Sequence, residues 1–284
     1  IFAQSVGGGG GNAINNMLSQ SGDGGNVGIS IGRTGGTGGT AGDVFASSDG
    51  TVSTLGARSH GLFAQSIGNG GGNSSSTSVS LTTPASGDDK GDTFSLSVGL
   101  EGGTGGASGD VTTEATGFIS TLGSDAHGIF AQSVGGGGGT GGGSKSSATS
   151  ATSISIAIGG TGGSGGVSGN ASVQNSAQIT TGGDRAIGIL AQSIGGAGGT
   201  GGFVKSGSSA LSIAKNTLKG SEIGTTISIN IGGDGGDGMT SGDVSVSNDG
   251  LLSTIGSNSH GIHAQSVGGG GGSQGGGTGD RRVA

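Results

Sequence analysis

The amino-acid sequence predicts an all-β fold, a parallel β-helix, from three observations. Glycine accounts for 78 of the 284 residues, and Trp, Tyr and Cys are absent. Glycine contributes no side chain to a core and loses the most backbone entropy on folding, which disfavours a single thick core. Landmark residues recur at long spacings, and short apolar runs alternate with a period of two. A thin core stacked along an axis accounts for all three.

The tripeptide Ala-Gln-Ser marks each repeat. Each later Gln is preceded, at a constant distance in sequence, by a Gly-Asp or Gly-Asn pair. Each of these pairs is preceded in turn, again at a constant distance, by the apolar residue that ends a strand-like run. The block from this apolar residue to the Gln, 31–65 in its first copy, accepts no insertion, as expected of a stacked framework. The fixed spacing also argues against disorder. The landmarks are Gln4, Gln65, Gln132, Gln192 and Gln265, and Asp43, Asp110, Asn170 and Asp243.

The rigid block has the pattern of short strands. Residues 154–158 alternate apolar and small side chains, and 243–246, 251–256 and 261–267 are three strand-like runs in close succession. Three such runs match one turn of a three-sided parallel β-helix. We therefore predict one repeat array over residues 1–284, with no long helix. Its variable segments are 69–93, 140–153 and 200–226.

Glycine triplets of the form Gly-Gly-X follow many of the strands. They allow two interpretations. They form flexible loops, or they form extended polyproline-II-like segments with three residues per turn, resembling polyglycine II, whose bare backbones approach closely and hydrogen-bond to one another.

Composition disfavours several functions. The net charge is −7 with only 10% charged residues, so no basic patch favours nucleic acid. No apolar stretch predicts membrane insertion, and no cluster of catalytic side chains, cofactor motif or metal site is predicted. His60, His127 and His260 share a repeat position with Ile187, which indicates a turn or packing role. The calcium-type pattern at 232–239 occurs once, although that motif requires tandem copies.

Two groups of polar residues have predicted roles. The small Ala and Ser of Ala-Gln-Ser suit a narrow interior, and the Gln amide is expected to bond backbone at a turn. The longest variable segment contains Lys205, Lys215 and Lys219, a local positive charge in an acidic chain. We predict that these lysines contact a ligand.

The block 124–134, Ser-Asp-Ala-His-Gly-Ile-Phe-Ala-Gln-Ser-Val, with its glycine tail 135–139, resembles the repeat of large glycine-rich autotransporter passengers of Gram-negative bacteria. The resemblance covers essentially the whole chain. It implies a right-handed parallel β-helix that is exported across the outer membrane and has an adhesive or matrix role.

From this resemblance we expect a non-enzymatic passenger stalk at the bacterial cell surface, with a host or neighbouring-cell surface as partner. The alternative is a segment of an extracellular filament or biofilm matrix fibre that self-associates along or beside the solenoid. The sequence opens at Ile1 inside a repeat, so any export signal is expected outside it.

Overall fold

The computed structural model describes residues 1–22, 24–83, 91–150, 152–210 and 225–282, and these residues form strands and no helix. In chain order the strands are β1 (Phe2–Val6), β2 (Asn16–Ser21), β3 (Asn26–Ile31), β4 (Val44–Thr54), β5 (Leu62–Ile67), β6 (Thr77–Thr82), β7 (Thr93–Val98), β8 (Val111–Thr121), β9 (Ile129–Val134), β10 (Ser144–Ser150), β11 (Thr152–Ile158), β12 (Ala171–Asn175), β13 (Gln178–Thr181), β14 (Ile189–Ile194), β15 (Val204–Ala210), β16 (Thr225–Ile231), β17 (Val244–Asn248), β18 (Leu252–Thr254), β19 (Ile262–Val267) and β20 (Gly277–Arg282).

The strands form four parallel sheets, in which each strand pairs with its counterpart one repeat later. Sheet A contains β1, β5, β9, β14 and β19, and sheet B contains β2, β6, β10, β15 and β20. Sheet C contains β3, β7, β11 and β16, and sheet D contains the remaining strands. The predicted three-sided turn is wrong, because one repeat passes through A, B, C and D in that order. Two of the three runs used for that prediction, β17 and β18, lie in the same sheet.

Sheet A packs on sheet D, and sheet B packs on sheet C. The A–D interior is apolar: Leu62, Ile119, Ile129 and Ile179 are fully buried there. A fully buried side chain of this size contributes about 1.5–3 kcal/mol. The strands of sheet A alternate inward and outward residues, as their period of two requires.

The B–C interior consists largely of hydroxyl groups. Ser95, Ser146 and Ser155 are buried and hydrogen-bonded to one another at 2.5 to 3.2 Å. Buried hydroxyls cost little free energy when they are paired in this way. One end of each repeat is therefore held by apolar packing. The other combines such hydrogen bonds with a few buried apolar side chains, Val79, Leu81 and Val204.

Two glycine-rich segments per repeat connect these ends, from A to B in one layer and from C to D in the other. In the A-to-B segment 135–143, the Gly138 N–H donates to the Ala197 carbonyl of the same layer, at 2.8 Å. The Gly139 N–H donates to the Gly103 carbonyl of the opposite layer, at 2.7 Å. The same two bonds recur every third residue. The loop interpretation is therefore wrong, and this pairing is the one that the polyproline-II-like interpretation requires.

These bonds explain the Gly-Gly-X pattern. A Cβ on Gly138 would clash with the carbonyl oxygen of Gly163, and one on Gly139 with that of Gly72. The third residue, Thr140, is exposed. None of the described triplet glycines has a left-handed φ. Glycine is needed here because it lacks a side chain, and not for its conformational freedom.

All of the length variation falls in the turn from sheet B to sheet C. Counted between strand residues that pair in register, these turns are 22–25, 83–92, 150–152 and 210–225. The predicted variable segments 69–93, 140–153 and 200–226 are too wide, because each also includes glycine triplets and a strand of sheet B. The strand ends that the four turns connect lie at one edge of the stack, where the B–C sheet pair ends.

Candidate functional site

The landmark glutamines form a column on the outer face of sheet A. Ala64 and Ser66 are fully buried, as predicted for the small residues, whereas Gln65 between them faces outward. The Nε2–H of each of the first four glutamines donates to the Oε1 of the Gln in the next repeat, at 2.5 to 3.1 Å. The predicted bond to backbone at a turn is wrong, because the column lies in mid-strand and its amides pair with one another. Its members are Gln4, Gln65, Gln132, Gln192 and Gln265.

The Asp and Asn landmarks form a second column, where the glycine triplets end and sheet D begins. Asp43 accepts the N–H of Asp110 at 2.8 Å, and Asp110 accepts the N–H of Asn170 at 2.7 Å. The Asn170 Oδ1 accepts the N–H of Asp243 at 2.8 Å. Each side chain thus binds a backbone donor that the change from triplets to strand would leave unpaired. This column has a structural role.

His60 and His127 are adjacent despite their distance in sequence, with ring centroids 4.9 Å apart. The His60 Nδ1 accepts the N–H of His127, and the His127 Nδ1 accepts the N–H of Ile187, both at 3.0 Å. Burial lowers the pKa of both rings, that of His127 to about 4 with a further contribution from His60. Neutral rings with occupied Nδ1 atoms are consistent with the predicted packing role.

The turn from sheet D to sheet A carries a column of outward side chains with left-handed backbone: Arg58, Asp125, Arg185 and Asn258, with φ of 55° to 58°. Arg185 donates from Nε and Nη2 to the two carboxylate oxygens of Asp125, at 2.8 Å each. This fork lowers the pKa of Asp125 and raises that of Arg185. The pair is exposed, so it favours correct register more than it adds stability.

The predicted ligand-contact lysines are only partly described. Lys205 lies in β15, on the exposed outer face of sheet B and not in a loop. Its neighbour in register is Lys145 of β10, which the sequence analysis missed. The signal was present, because both lysines lie at the same distance after the landmark Gln of their repeat. Lys215 and Lys219 lie outside the described residues.

Among the described residues, no group of three His, Asp or Glu side chains is placed to hold a metal ion. In the calcium-type segment, Asp234 and Asp237 occupy exposed X positions of the triplets. Their carbonyls accept N–H groups of Gly162 and Gly165. No helix in the described part of the chain is long and apolar enough to cross a membrane.

No protein-family model, no curated protein and no solved structure matches this chain. The resemblance to autotransporter passengers therefore remains a prediction from the repeat block.

Proposed function

We propose that the chain is a right-handed β-solenoid with a polyglycine-II-like centre, and that it acts as a rigid extracellular stalk presenting an adhesive edge, as in autotransporter adhesins. In-register pairing of every repeat in four sheets and through the glycine segments favours a stiff rod. Such a rod holds its B-to-C turns in one line, so that several weak contacts act together.

The distribution of lysine carries this proposal. All five lysines of the chain lie either in strands of sheet B or in the B-to-C turns that follow them: Lys90, Lys145, Lys205, Lys215 and Lys219. The rest of the molecule is acidic, since the net charge is −7. Sheet B and the turns that follow it therefore hold seven of the ten basic residues but only six of the seventeen acidic ones, so this side of the repeat is the least acidic part of the chain.

A lysine-bearing edge fits an acidic, hydrated partner. Lysine is a flexible point charge with a well-hydrated head group, suited to carboxylate or sulfate groups held in no fixed geometry. Acidic polysaccharides at a host or neighbouring-cell surface present such groups. Contacts of this kind weaken as salt rises beyond about 0.15 M, where the screening length is about 8 Å.

A loop graft tests the role of the longest turn. Residues 210–225 are replaced by the sequence of 150–152, which already connects the same two sheets. We expect an unchanged far-UV circular dichroism spectrum and a loss of binding to an immobilised sulfated polysaccharide and to cells. Full retention of binding by the folded graft would refute the contact role of this turn.

A charge-matched pair of variants tests the lysines themselves. Lys205, Lys215 and Lys219 are replaced by Ser in one variant, and Arg33, Arg58 and Arg185, which lie away from this edge, in the other. Both remove three positive charges. We expect only the lysine variant to lose binding, and equal losses would show that net charge, not the edge, determines adhesion.

A further inference from the structure

Sheet C carries its apolar side chains on the outside. All three outward positions of its four strands hold Val, Ile, Leu or Phe, while the inward positions hold Asn, Gly, Ala, Ser or Thr. In the outer two strands these side chains are 42% to 67% exposed. They are Val27, Ile29 and Ile31, and Ile227, Ile229 and Ile231.

The other three described sheets differ. On sheet D the outward positions hold mostly polar residues such as Thr112 and Ser172, and its outward phenylalanines, Phe45 and Phe118, are isolated. The outward positions of sheet B are mostly Ser, Thr and charged residues, with Met17 as a single apolar exception. Sheet A divides its apolar columns by the Gln column. A contiguous apolar patch of sheet C's size is comparable to the largest patch on a typical soluble monomer, and such patches are often interaction surfaces.

We infer that the outer face of sheet C is a self-association surface that binds the same face of a second copy of this chain. The face is regular, with columns about 6.7 Å apart along the strands and rows about 4.8 Å apart across them. A surface with the same two spacings can interdigitate with its rows, and the identical sheet of a second copy has these spacings, the same apolar residues and no charge. This pairing is a separate property from the adhesive role proposed for the B-to-C edge.

Charge favours a second copy over a lipid surface. The face itself is uncharged, and the exposed carboxylates of Glu101 and Asp234 follow two of its strands, at the same position after Val98 and Ile231. An anionic membrane would repel these groups. When the two copies are related by a two-fold axis along the stacking direction, their strands run in opposite directions. The acidic row at the strand ends of one copy then lies on the opposite flank of the interface from that of the other.

The area sets the expected strength. Three columns and four rows cover a footprint of about 20 Å by 19 Å, or roughly 800 Å² for both copies together. Interfaces below about 1,200 Å² belong to weak, reversible complexes. We expect a monomer–dimer equilibrium with a dissociation constant in the micromolar range.

Sedimentation equilibrium over a range of chain concentrations tests this pairing. The test variant is Leu96→Lys with Ile156→Lys, at outward positions that pair in register at the centre of the face. The matched control is Thr112→Lys with Ser172→Lys, which are register partners on the outer face of sheet D and add the same charge. We expect the wild type and the control to dimerise alike, and the test variant to dimerise at least about tenfold more weakly.

A wild type that stays monomeric to several hundred micromolar would overturn the inference, as would equal weakening by the control or none by the test variant. So would binding of the wild type to phosphatidylglycerol vesicles that the Leu96→Lys, Ile156→Lys variant abolishes. A milder variant, Leu96→Thr with Ile156→Thr, gives the same comparison if the lysine variant does not fold. The 210–225 graft should dimerise normally, so adhesion and pairing can fail separately.

Discussion

Replacing Gly163 by Ala tests whether the glycine segments form a close-packed, hydrogen-bonded interior. The Gly163 N–H donates to the Gly139 carbonyl, and its own carbonyl accepts the N–H of Gly199, both at 2.8 Å. A Cβ at this position would clash with the carbonyl oxygen of Gly103 and lie 2.6 Å from its carbonyl carbon. The obstacle is backbone on a neighbouring repeat, which has no rotamer to change.

The cost follows from these contacts. Overpacking of a well-packed interior costs about 1–3 kcal/mol. Moving the segment away weakens two backbone hydrogen bonds, each with a net contribution of about 1 kcal/mol. We expect Gly163→Ala to lower the free energy of unfolding by about 3–5 kcal/mol.

Gly137→Ala is the matched control. Gly137 is an exposed third-position residue, and the nearest atom to its added Cβ would be the Ala197 carbonyl oxygen at 3.8 Å. Its φ is not left-handed. Ala should therefore stabilise the protein by about 0.4–1 kcal/mol by restricting the unfolded chain.

Urea unfolding followed by far-UV circular dichroism measures both variants, since the chain has no Trp or Tyr to report by fluorescence. We expect the free energy of unfolding to fall in Gly163→Ala and to rise in Gly137→Ala. A loss below about 1 kcal/mol for Gly163→Ala, or equal losses for the two variants, would show that the triplets are not close-packed.

Two further predictions concern a buried ring and the variable turn. Burial, with nearby His60, lowers the pKa of His127 from 6.5 to about 4. The stability linked to this ring is thus full above pH 6.5 and is lost as the pH falls through about 4. After allowance for partial exposure of the ring, we expect the free energy of unfolding to fall by about 1–2 kcal/mol between pH 7 and pH 4, and this loss to be absent in His127→Gln. Urea midpoints over this pH range measure the difference, and identical pH profiles for the two proteins would contradict it. Lengthening the turn 150–152 by a short Gly-Ser insertion should cost less than about 1 kcal/mol, because loop closure depends weakly on length. The same insertion between Gly138 and Gly139 should shift the triplet register and lower the urea midpoint sharply. Equal changes in midpoint for the two insertions would show that the glycine triplets are not part of the rigid framework.

The framework was predicted well from the sequence, because the patterns that indicate it lie within single strands or at constant spacings within one repeat. The period of two in residues 154–158 predicted a strand, and that strand is part of β11. The constant spacing of Gln65 from Asp43 predicted stacking without insertions, and both residues lie in columns with their counterparts.

The strands of sheet B escaped prediction for a physical reason. Apart from β6, which alternates Val79 and Leu81 with polar residues, these strands lack an apolar period, as in the Ser-rich sequence of β10, Ser-Lys-Ser-Ser-Ala-Thr-Ser. They need none, because their inward side chains meet the hydroxyls of sheet C, as Ser146 meets Ser95. A hydrogen-bonded interior therefore leaves no hydrophobic signal in a strand such as β10, whose outward residues are also polar. The sheet B strands could be predicted only from Lys145 and Lys205, which lie at the same distance after the landmark Gln of their repeats.

The orientation of sheet C was also beyond the pattern. Alternation in residues 154–158 shows that apolar and small residues face opposite ways, but not which face is inside. In a chain with one apolar core, the Ile residues would face inward. Here Ser153 and Ser155 are fully buried, and Ile154 and Ile156 face outward. Which side chains of sheet C face inward depends on the hydroxyl groups of sheet B, whose strands precede those of sheet C in the chain.

The glycine segments explain how two such different interiors can exist in one repeat. A core of side chains spanning the whole width would need apolar residues throughout, and only 28% of the residues are hydrophobic. Between the ends, the layers instead bond backbone to backbone, as Gly139 does to Gly103. That contact requires no side chain and holds the A–D and B–C ends apart. Because the A–D core supplies the apolar packing, the B–C end can direct its apolar residues outward. The end of the repeat that carries the variable turns is therefore also the end that is free to bind a second chain.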